Sequence, residues 1–147
     1  MNSQDQTRHM DTSGQVPDPF EELLAVAREV ADRAYAPYSH YRVGAAARVD
    51  DGRVVRGCNV ENAGYGVTLC AECGMVSELM AGGGGKLTAF VCVNGNGEVI
   101  MPCGRCRQLL AEHAAEDFAI LTPRGLQDLE AILPQAFGPA DVAPYSS

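Results

Sequence analysis

Two short cysteine clusters carry the residues of this sequence that could do chemistry. The first is Cys-Ala-Glu at residues 70–72, and the second is Pro-Cys-Gly-Arg-Cys at residues 102–106. Three thiolates can hold a zinc ion and leave its fourth coordination position open for water, as in catalytic zinc sites. Glu72, two residues after the first thiol, is close enough to exchange protons with that water. The predicted zinc ligands are Cys70, Cys103 and Cys106.

Each cluster is predicted to lie where a helix begins. A helix N-terminus carries roughly half a positive charge and unpaired N–H donors. Both favour the thiolate, which is the form of cysteine that binds zinc. Cys103 and Cys106 are three residues apart and are therefore neighbours on one helical face. Pro102 suits a chain that is entering such a helix.

A second interpretation of the same cysteines remains open at this point. Cys70 with Cys73, and Cys103 with Cys106, form the CxxC…CxxC pattern of a closed structural zinc site. The two pairs are separated by 29 residues, which is longer than the about 15–20 residues typical of a zinc ribbon. The interval also contains a predicted buried strand. Glu72 and the motifs upstream favour the open, catalytic site.

Hydrophobic periodicity predicts the elements that must position these residues. A helix is expected to begin with Asp18 as its N-cap and to end at Pro37. A hairpin turn is expected at residues 50–52, and the apolar run at residues 87–93 is typical of a strand buried on both faces. The alternation of strands and helices predicts an α/β fold with helices packed on a central sheet. Further strands are predicted at residues 43–49, 53–60 and 118–121, and further helices at residues 70–80 and 103–113.

Length and composition predict one domain and a small substrate. The chain has 147 residues, 46% of them hydrophobic, and a formal net charge of −8. We expect a disordered tail at residues 1–17, one domain at residues 18–138 and a C-terminal tail at residues 139–147. An acidic surface repels phosphate backbones, so nucleic acid is not expected as a partner. The predicted substrate is small and uncharged.

The N-terminal segment and the cysteines bear on the cellular compartment. The first 17 residues are polar and have no apolar core of the kind that a signal peptide needs. No segment approaches the about 20 apolar residues of a membrane-spanning helix, so no membrane partner is expected. The chain is therefore predicted to be cytoplasmic, where cysteines stay reduced and more often bind metal than one another.

Further motifs complete a recognisable set. They are Pro-Tyr-Ser at residues 37–39, Val-Gly-Ala-Ala at residues 43–46 and Asn-Val-Glu-Asn-Ala-Gly-Tyr at residues 59–65. With the two cysteine clusters, they make the sequence resemble the small zinc-dependent cytidine deaminases over residues 20–137. The resemblance implies a three-layer α/β/α fold with a central mixed sheet of about five strands. It also implies hydrolytic deamination of cytidine and deoxycytidine in pyrimidine salvage, with one Zn²⁺ per chain.

The resemblance implies roles for individual residues as well. The family's zinc ligands correspond to the three cysteines named above, and its proton-shuttling glutamate corresponds to Glu72. Members of this size form homotetramers in which neighbouring subunits complete each active site. On that analogy the residues that contact the nucleoside substrate are Asn59 and Glu61 at the sugar, Ala71 and Tyr41 at the base, and Tyr65 and Phe137 from an adjacent subunit.

One position departs from the family pattern. Many relatives have arginine directly after Cys-Ala-Glu, where it helps to neutralise the thiolates, whereas this chain has Cys73. Zinc with three thiolates has a net negative charge, which weakens the pull of the metal on water. Arg107 is predicted to compensate as a hydrogen-bond donor to the cluster, because donors around the ligands tune a metal site.

Three alternatives to nucleoside deamination were weighed against these motifs. A deaminase of a cytosine-like nucleoside antibiotic is a close alternative, although Asn59 and Glu61 favour a substrate with a ribose. A closed zinc module that serves only for binding would require Cys73 as a fourth ligand. A deaminase of polynucleotides is disfavoured by the acidic charge.

Overall fold

A six-stranded mixed sheet forms the centre of the protein. The computed structural model describes residues 16–146. The strands follow the order β2-β1-β3-β5-β6, with β4 paired to the end of β3. The pair β3 and β5 is parallel and the other pairs are antiparallel. The strands are β1 (Val43–Val49), β2 (Val54–Cys58), β3 (Leu87–Asn94), β4 (Val99–Ile100), β5 (Ala114–Thr122) and β6 (Gly125–Gln127).

Helices cover both faces of this sheet. One apolar cluster joins the first helix, α1, to one face, and a second cluster joins α2, α3 and α4 to the other. The predicted three-layer α/β/α fold is therefore confirmed, with six strands where about five were expected. The helices are α1 (Phe20–Ala31), α2 (Ala71–Ala81), α3 (Gly104–His113), α4 (Leu129–Ile132) and α5 (Pro139–Val142), with 3₁₀ turns at Tyr65–Val67 and Ala143–Tyr145.

The outer parts of the chain bear on two sequence predictions. The predicted tail at residues 1–17 lies outside the described residues, except for its last two. Residues 139–145, predicted as part of a C-terminal tail, form α5 and a 3₁₀ turn. Among residues 16–146, no helix combines the length and the apolar character needed to cross a membrane.

Two glycines let the helices approach the sheet closely. A Cβ atom on Gly57 of β2 would lie 2.2 Å from the carbonyl oxygen of Ala71 and 2.5 Å from the amide nitrogen of Met75. A Cβ atom on Gly44 of β1 would lie 2.0 Å from the carbonyl oxygen of Ala27 on the opposite face. Any larger residue would push a helix away from the sheet. At Gly57 the displaced helix would be the one whose first turn carries Ala71 and Glu72.

The sequence prediction for α1 was wrong at both ends. The N-cap is Pro19, without a side-chain hydrogen bond, so the predicted cap Asp18 lies one residue too early to reach the first amides. The helix also ends at Ala31, well before Pro37. Its early end frees Tyr35 to pair with Val60 as an isolated bridge. This pairing fixes residues 59–61. The tertiary contact therefore prevails over the helical sequence pattern that continues beyond Ala31.

Candidate metal centre and active site

The three predicted zinc ligands come together in the structure. The Sγ atoms of Cys70, Cys103 and Cys106 all lie within 4.8 Å of one another. Thiolates on a tetrahedral zinc, with Zn–S bonds of about 2.3 Å, stand about 3.8 Å apart, so the three sulfurs need little adjustment to share one ion. Cysteine sulfur is also the ligand that zinc accepts most readily in such sites. The residues present therefore fit zinc.

Helix ends position this cluster, as the sequence predicted. Cys70 is the N-cap of α2 and Cys103 is the N-cap of α3, while Cys106 lies in the first turn of α3. The packing of α2 against α3 brings the two N-termini together. Both helix dipoles consequently direct their positive ends at the sulfurs.

The three thiols differ in how readily they ionise. Burial raises the pKa of Cys70. Burial is also the largest cause of the raised pKa of Cys106, with a further contribution from the negative charge of Glu72. Burial opposes ionisation of Cys103 as well, but hydrogen bonds from the backbone and thiol of Cys106 and from Cys70 outweigh it and lower the pKa of Cys103. Cys103 is thus the sulfur that the helix N-terminus most favours as a thiolate.

Glu72 lies beside this cluster and is removed from solvent. Its exposed fraction is 3%, and it is the only buried acidic side chain among residues 16–146. After burial, the nearby negative charge of Glu72 is the next cause that raises the pKa of the thiols of Cys106 and Cys92. Glu72 lies in the first turn of α2, where the positive end of the helix dipole stabilises a buried negative charge.

Cys73 is not part of the candidate metal site. In the described chain the group of three or more possible ligands contains only the three predicted cysteines. The sulfur of Cys73 instead accepts a hydrogen bond from the guanidinium of Arg105 at 3.5 Å. The structure therefore favours the open site with three thiolates over the closed CxxC…CxxC interpretation.

Arg107 contacts the metal centre indirectly. Its Nε atom donates to the carbonyl oxygen of Pro102 at 2.9 Å, and a second guanidinium nitrogen donates to the carbonyl oxygen of Ile132 at 3.2 Å. Within residues 16–146 none of its hydrogen bonds reaches a thiol, which was the predicted contact. Arg107 instead holds Pro102, the residue directly before Cys103, and so fixes the start of α3.

A cavity of about 280 Å³ opens onto the cysteines and Glu72. This volume is close to the lower end of the about 300–1,000 Å³ that is usual for small-molecule sites. Of the six predicted substrate contacts, Tyr41, Asn59 and Ala71 line the cavity, whereas Glu61, Tyr65 and Phe137 do not. The remaining lining residues are Val43, Thr68, Leu69, Cys70, Glu72, Ile100, Met101, Pro102 and Cys103.

Asn59 and Glu61 both hold the backbone of the segment between α1 and β1. The Asn59 amide group donates to the carbonyl oxygen of Tyr41 and accepts from the amide of Val43, both at 2.8 Å. The Oε1 atom of Glu61 accepts from the amides of Tyr38 and Ser39. The predicted sugar-binding pair is thus connected to the rim of the cavity.

The two side chains predicted to reach a neighbouring subunit lie on the surface of this chain. Tyr65 is 80% exposed and Phe137 is 61% exposed. Tyr65 begins the 3₁₀ turn that leads towards Cys70. The carbonyl oxygen of Phe137 accepts a hydrogen bond from the side chain of Gln108 at 2.8 Å, which ties its segment to α3.

Sequence reasoning missed several residues around the site. Ile100 and Met101 line the cavity from β4 and the residue after it, and that strand is only two residues long. The available signal was the position of Met101 directly before Pro102. Cys92 lies in the predicted buried strand at residues 87–93 and is indeed buried, but it also lies close to Glu72. No sequence signal indicates that contact, because it depends on the packing of β3 against α2.

The fold and the site together define a class of protein. A three-layer α/β/α fold with three cysteines and one buried glutamate at the first turns of two helices is characteristic of zinc-dependent deaminases. Residues 18–122 match the family model for the cytidine and deoxycytidylate deaminase zinc-binding region. The chain belongs to this family.

Similar proteins agree with this assignment over most of the chain. A cytidine deaminase of Mycobacterium tuberculosis is 57% identical over 123 residues, which cover 82% of this chain and 90% of that protein. A cytidine deaminase of Halalkalibacterium halodurans is 36% identical and is covered to 95%. The crystal structure of cytidine deaminase from M. tuberculosis has a TM-score of 0.79 at 53% identity, covering 83% of this chain and 99% of that one. That of cytidine deaminase from Mycobacterium leprae has a TM-score of 0.78 at 51% identity, covering 81% of this chain and all of that one.

Proposed function

We propose that this protein hydrolyses cytidine and deoxycytidine to uridine and deoxyuridine with release of ammonia. The observation that carries the proposal is the cluster of three cysteine sulfurs and the buried carboxylate of Glu72, with Cys70, Cys103 and Glu72 lining one cavity. Relatives similar over most of their length are named cytidine deaminase. The family relationship and the three thiols make Zn²⁺ the cofactor, with one ion per chain.

The chemistry divides between the cofactor and the chain. Zinc held by the three cysteines supplies a Lewis acid that lowers the pKa of water from about 15.7 towards 7. We assign to Glu72 the transfer of both protons: it carries the proton of the attacking water to N3 of the pyrimidine, and then carries the proton of the new C4 hydroxyl to the departing amine, which leaves as ammonia. A carboxylate suits this role because it can take up and return a proton within each cycle. General acid–base groups of this kind contribute about 10²–10⁴-fold.

The nucleoside would be oriented by residues of the cavity and its rim. In this proposal Tyr41 stacks on the pyrimidine and the backbone of Ala71 contacts it, while Asn59 and Glu61 bind the ribose hydroxyls. Asn59 and Glu61 are polar groups already fixed by backbone hydrogen bonds, so little ordering is needed on binding. Free cytosine would be a poor substrate, because it lacks the sugar hydroxyls that these two residues would bind.

A cytosine-like nucleoside antibiotic is not favoured as the substrate. The relatives reported above are named cytidine deaminase, and the predicted sugar contacts suit a ribose. An assay of purified zinc-loaded protein, following ammonia release and the loss of cytidine absorbance, tests the proposal directly. Release of one ammonia per uridine formed is expected. Turnover of blasticidin S without turnover of cytidine would contradict the proposal.

We further propose a homotetramer in which subunits complete one another's sites. The support is an exposed apolar surface near the cavity, formed by Val60, Tyr65, Val67 and Leu69, together with the exposed ring of Phe137. Several exposed apolar side chains beside a cavity suit burial against another subunit. Light scattering should give four times the 15.6 kDa chain mass. A monomer that is fully active would contradict this arrangement.

The proposed setting is pyrimidine salvage in the cytoplasm. All six cysteines are free thiols in the described chain, including the three at the candidate metal site. A reducing compartment preserves thiols in the state that binds zinc, whereas an oxidising one favours disulfides. Detection of the protein in a cytoplasmic fraction, and growth on cytidine as the pyrimidine source, would test this setting.

We expect Arg107→Ala to lower activity more than stability. Its guanidinium holds the Pro102 carbonyl next to Cys103, and outer contacts of this kind alter activity by about 10–100-fold when removed. Both hydrogen bonds are partly buried, so their loss should lower the unfolding free energy by about 1 kcal/mol. Steady-state kinetics and denaturant unfolding measure the two effects, with exposed Arg124→Ala as the control. Parental kinetics in Arg107→Ala would refute this role.

A further inference from the structure

The segment between α1 and β1 carries Tyr41 on the rim of the cavity and is held by side chains. The Oε1 atom of Glu61 accepts hydrogen bonds from the amides of Tyr38 and Ser39 at 3.0 and 3.1 Å. The carbonyl oxygen of Tyr41 accepts another from Asn59. The shape of this segment therefore depends on a few specific polar contacts.

Ser39 lies at the centre of these contacts. Its amide donates to Glu61, and its Oγ atom accepts a hydrogen bond from the amide of Tyr41 at 3.0 Å. Contact with the Ser39 side chain, and then hydrogen bonds from its amide and that of Tyr38, hold the pKa of the Glu61 carboxyl below its ordinary value. One residue thus connects the carboxylate of Glu61 to the backbone of the aromatic residue.

The residue between Ser39 and Tyr41 has an unusual backbone. His40 adopts a left-handed conformation with φ of 60°. Its amide donates to the carbonyl oxygen of Ala36 at 3.0 Å, which closes the turn. A non-glycine residue keeps a positive φ only where its surroundings enforce it, and such residues cluster at functional sites. The contacts of Ser39 on either side of His40 provide that enforcement.

We propose that Ser39 is a positioning residue that couples the carboxylate of Glu61 to the ring of Tyr41. The inference rests on the proposed function, in which Glu61 binds the sugar and Tyr41 stacks on the base. Oε1 of Glu61 accepts the hydrogen bonds from the segment between α1 and β1. Within residues 16–146, its Oε2 accepts no hydrogen bond. That oxygen is therefore available to a sugar hydroxyl, in an orientation that Ser39 helps to set.

The coupling predicts a defect in substrate binding without a defect in chemistry. In zinc-loaded Ser39→Ala, loss of the Oγ atom that accepts the Tyr41 amide should raise KM for cytidine about 5–10-fold. The kcat value should stay within about 2-fold of the parent, because Glu72 and the cysteines are untouched. Calorimetric titration with uridine should show the same weakening of Kd without any turnover. Ser39→Thr, which keeps the hydroxyl, should restore both values, and Ser77→Ala on the exposed face of α2 is the matched control.

A double-mutant cycle tests whether Ser39 acts through Glu61. If it does, Ser39→Ala should weaken binding by less than about 2-fold in a Glu61→Gln background, because coupled residues are not additive. Parental KM and uridine Kd in Ser39→Ala would overturn the inference, as would full additivity with Glu61→Gln or failure of Ser39→Thr to restore binding. If the parent releases no ammonia from cytidine, the proposed function fails, and the uridine titration still decides the role of Ser39.

Discussion

Cys106→Ser is expected to abolish both zinc retention and deamination. Cys106 is fully buried in the first turn of α3, with its sulfur within 4.8 Å of those of Cys70 and Cys103 and close to the carboxylate of Glu72. A serine hydroxyl has nearly the same shape but does not ionise at neutral pH, so one of three anionic ligands is lost. Changes outside the ligand set already weaken metal binding by about 10–100-fold, and removal of a ligand should exceed that range. Elemental analysis after dialysis measures the zinc content of each chain.

Thermal unfolding gives a second readout of the same change. Zinc at 100 times its Kd should stabilise the parent by about 2.7 kcal/mol, which raises Tm by about 5–10 °C. This increment should disappear in Cys106→Ser. Cys73→Ser is the matched control, because Cys73 lies on α2 nearby but bonds Arg105 rather than joining the cluster. Zinc loss in Cys73→Ser would revive the closed four-thiol site, and zinc retention in Cys106→Ser would remove the basis of the proposed centre.

The sequence predicted those parts of the fold that depend on local pattern. The strand Val43–Val49 and the helices that begin after Cys70 and Cys103 follow from alternation, apolar spacing and turn residues, and the structure agrees with them closely. The predicted short strand at residues 118–121 runs over Ala114–Thr122 instead. Its first four residues, Ala-Ala-Glu-Asp, show no alternation of apolar and polar side chains, so pairing with β3 extends the strand. A two-residue strand such as β4 has no pattern to detect.

The features of the candidate site likewise divide into those that local sequence pattern predicts and those that it does not. The clustering of the three cysteines could be predicted because their spacing reflects their chemistry, and the helix N-termini could be predicted with them. The contact of Arg105 with Cys73 and the contact of Cys92 with Glu72 could not. Each contact depends on how α2 packs against an element that is distant in the sequence, and no local sequence pattern predicts such packing. Arg107 was associated with the thiols by sequence proximity, whereas its fork-shaped guanidinium reaches two backbone carbonyls.

Glu72→Gln is expected to lower kcat by about 10²–10⁴-fold while zinc stays bound, since glutamine cannot accept and return a proton. The amide has nearly the same volume, so the packing around this buried position should remain intact. Removal of a buried negative charge should leave the stability unchanged or raise it, because an ionised group is costly to keep out of water. Single-turnover kinetics with cytidine, zinc analysis and thermal unfolding measure the three effects on one preparation.

Glu78→Gln is the matched control for this substitution. Glu78 lies on the same helix but is exposed, and its carboxylate accepts a hydrogen bond from the amide of Arg56 at 2.6 Å. Its neutralisation changes the charge of α2 equally and should leave kcat within about 2-fold of the parent. Equal losses in both variants would indicate a general effect of charge on the helix. A Glu72→Gln variant with parental kcat would exclude Glu72 as the proton carrier, and loss of zinc from it would make the carboxylate part of the metal site instead.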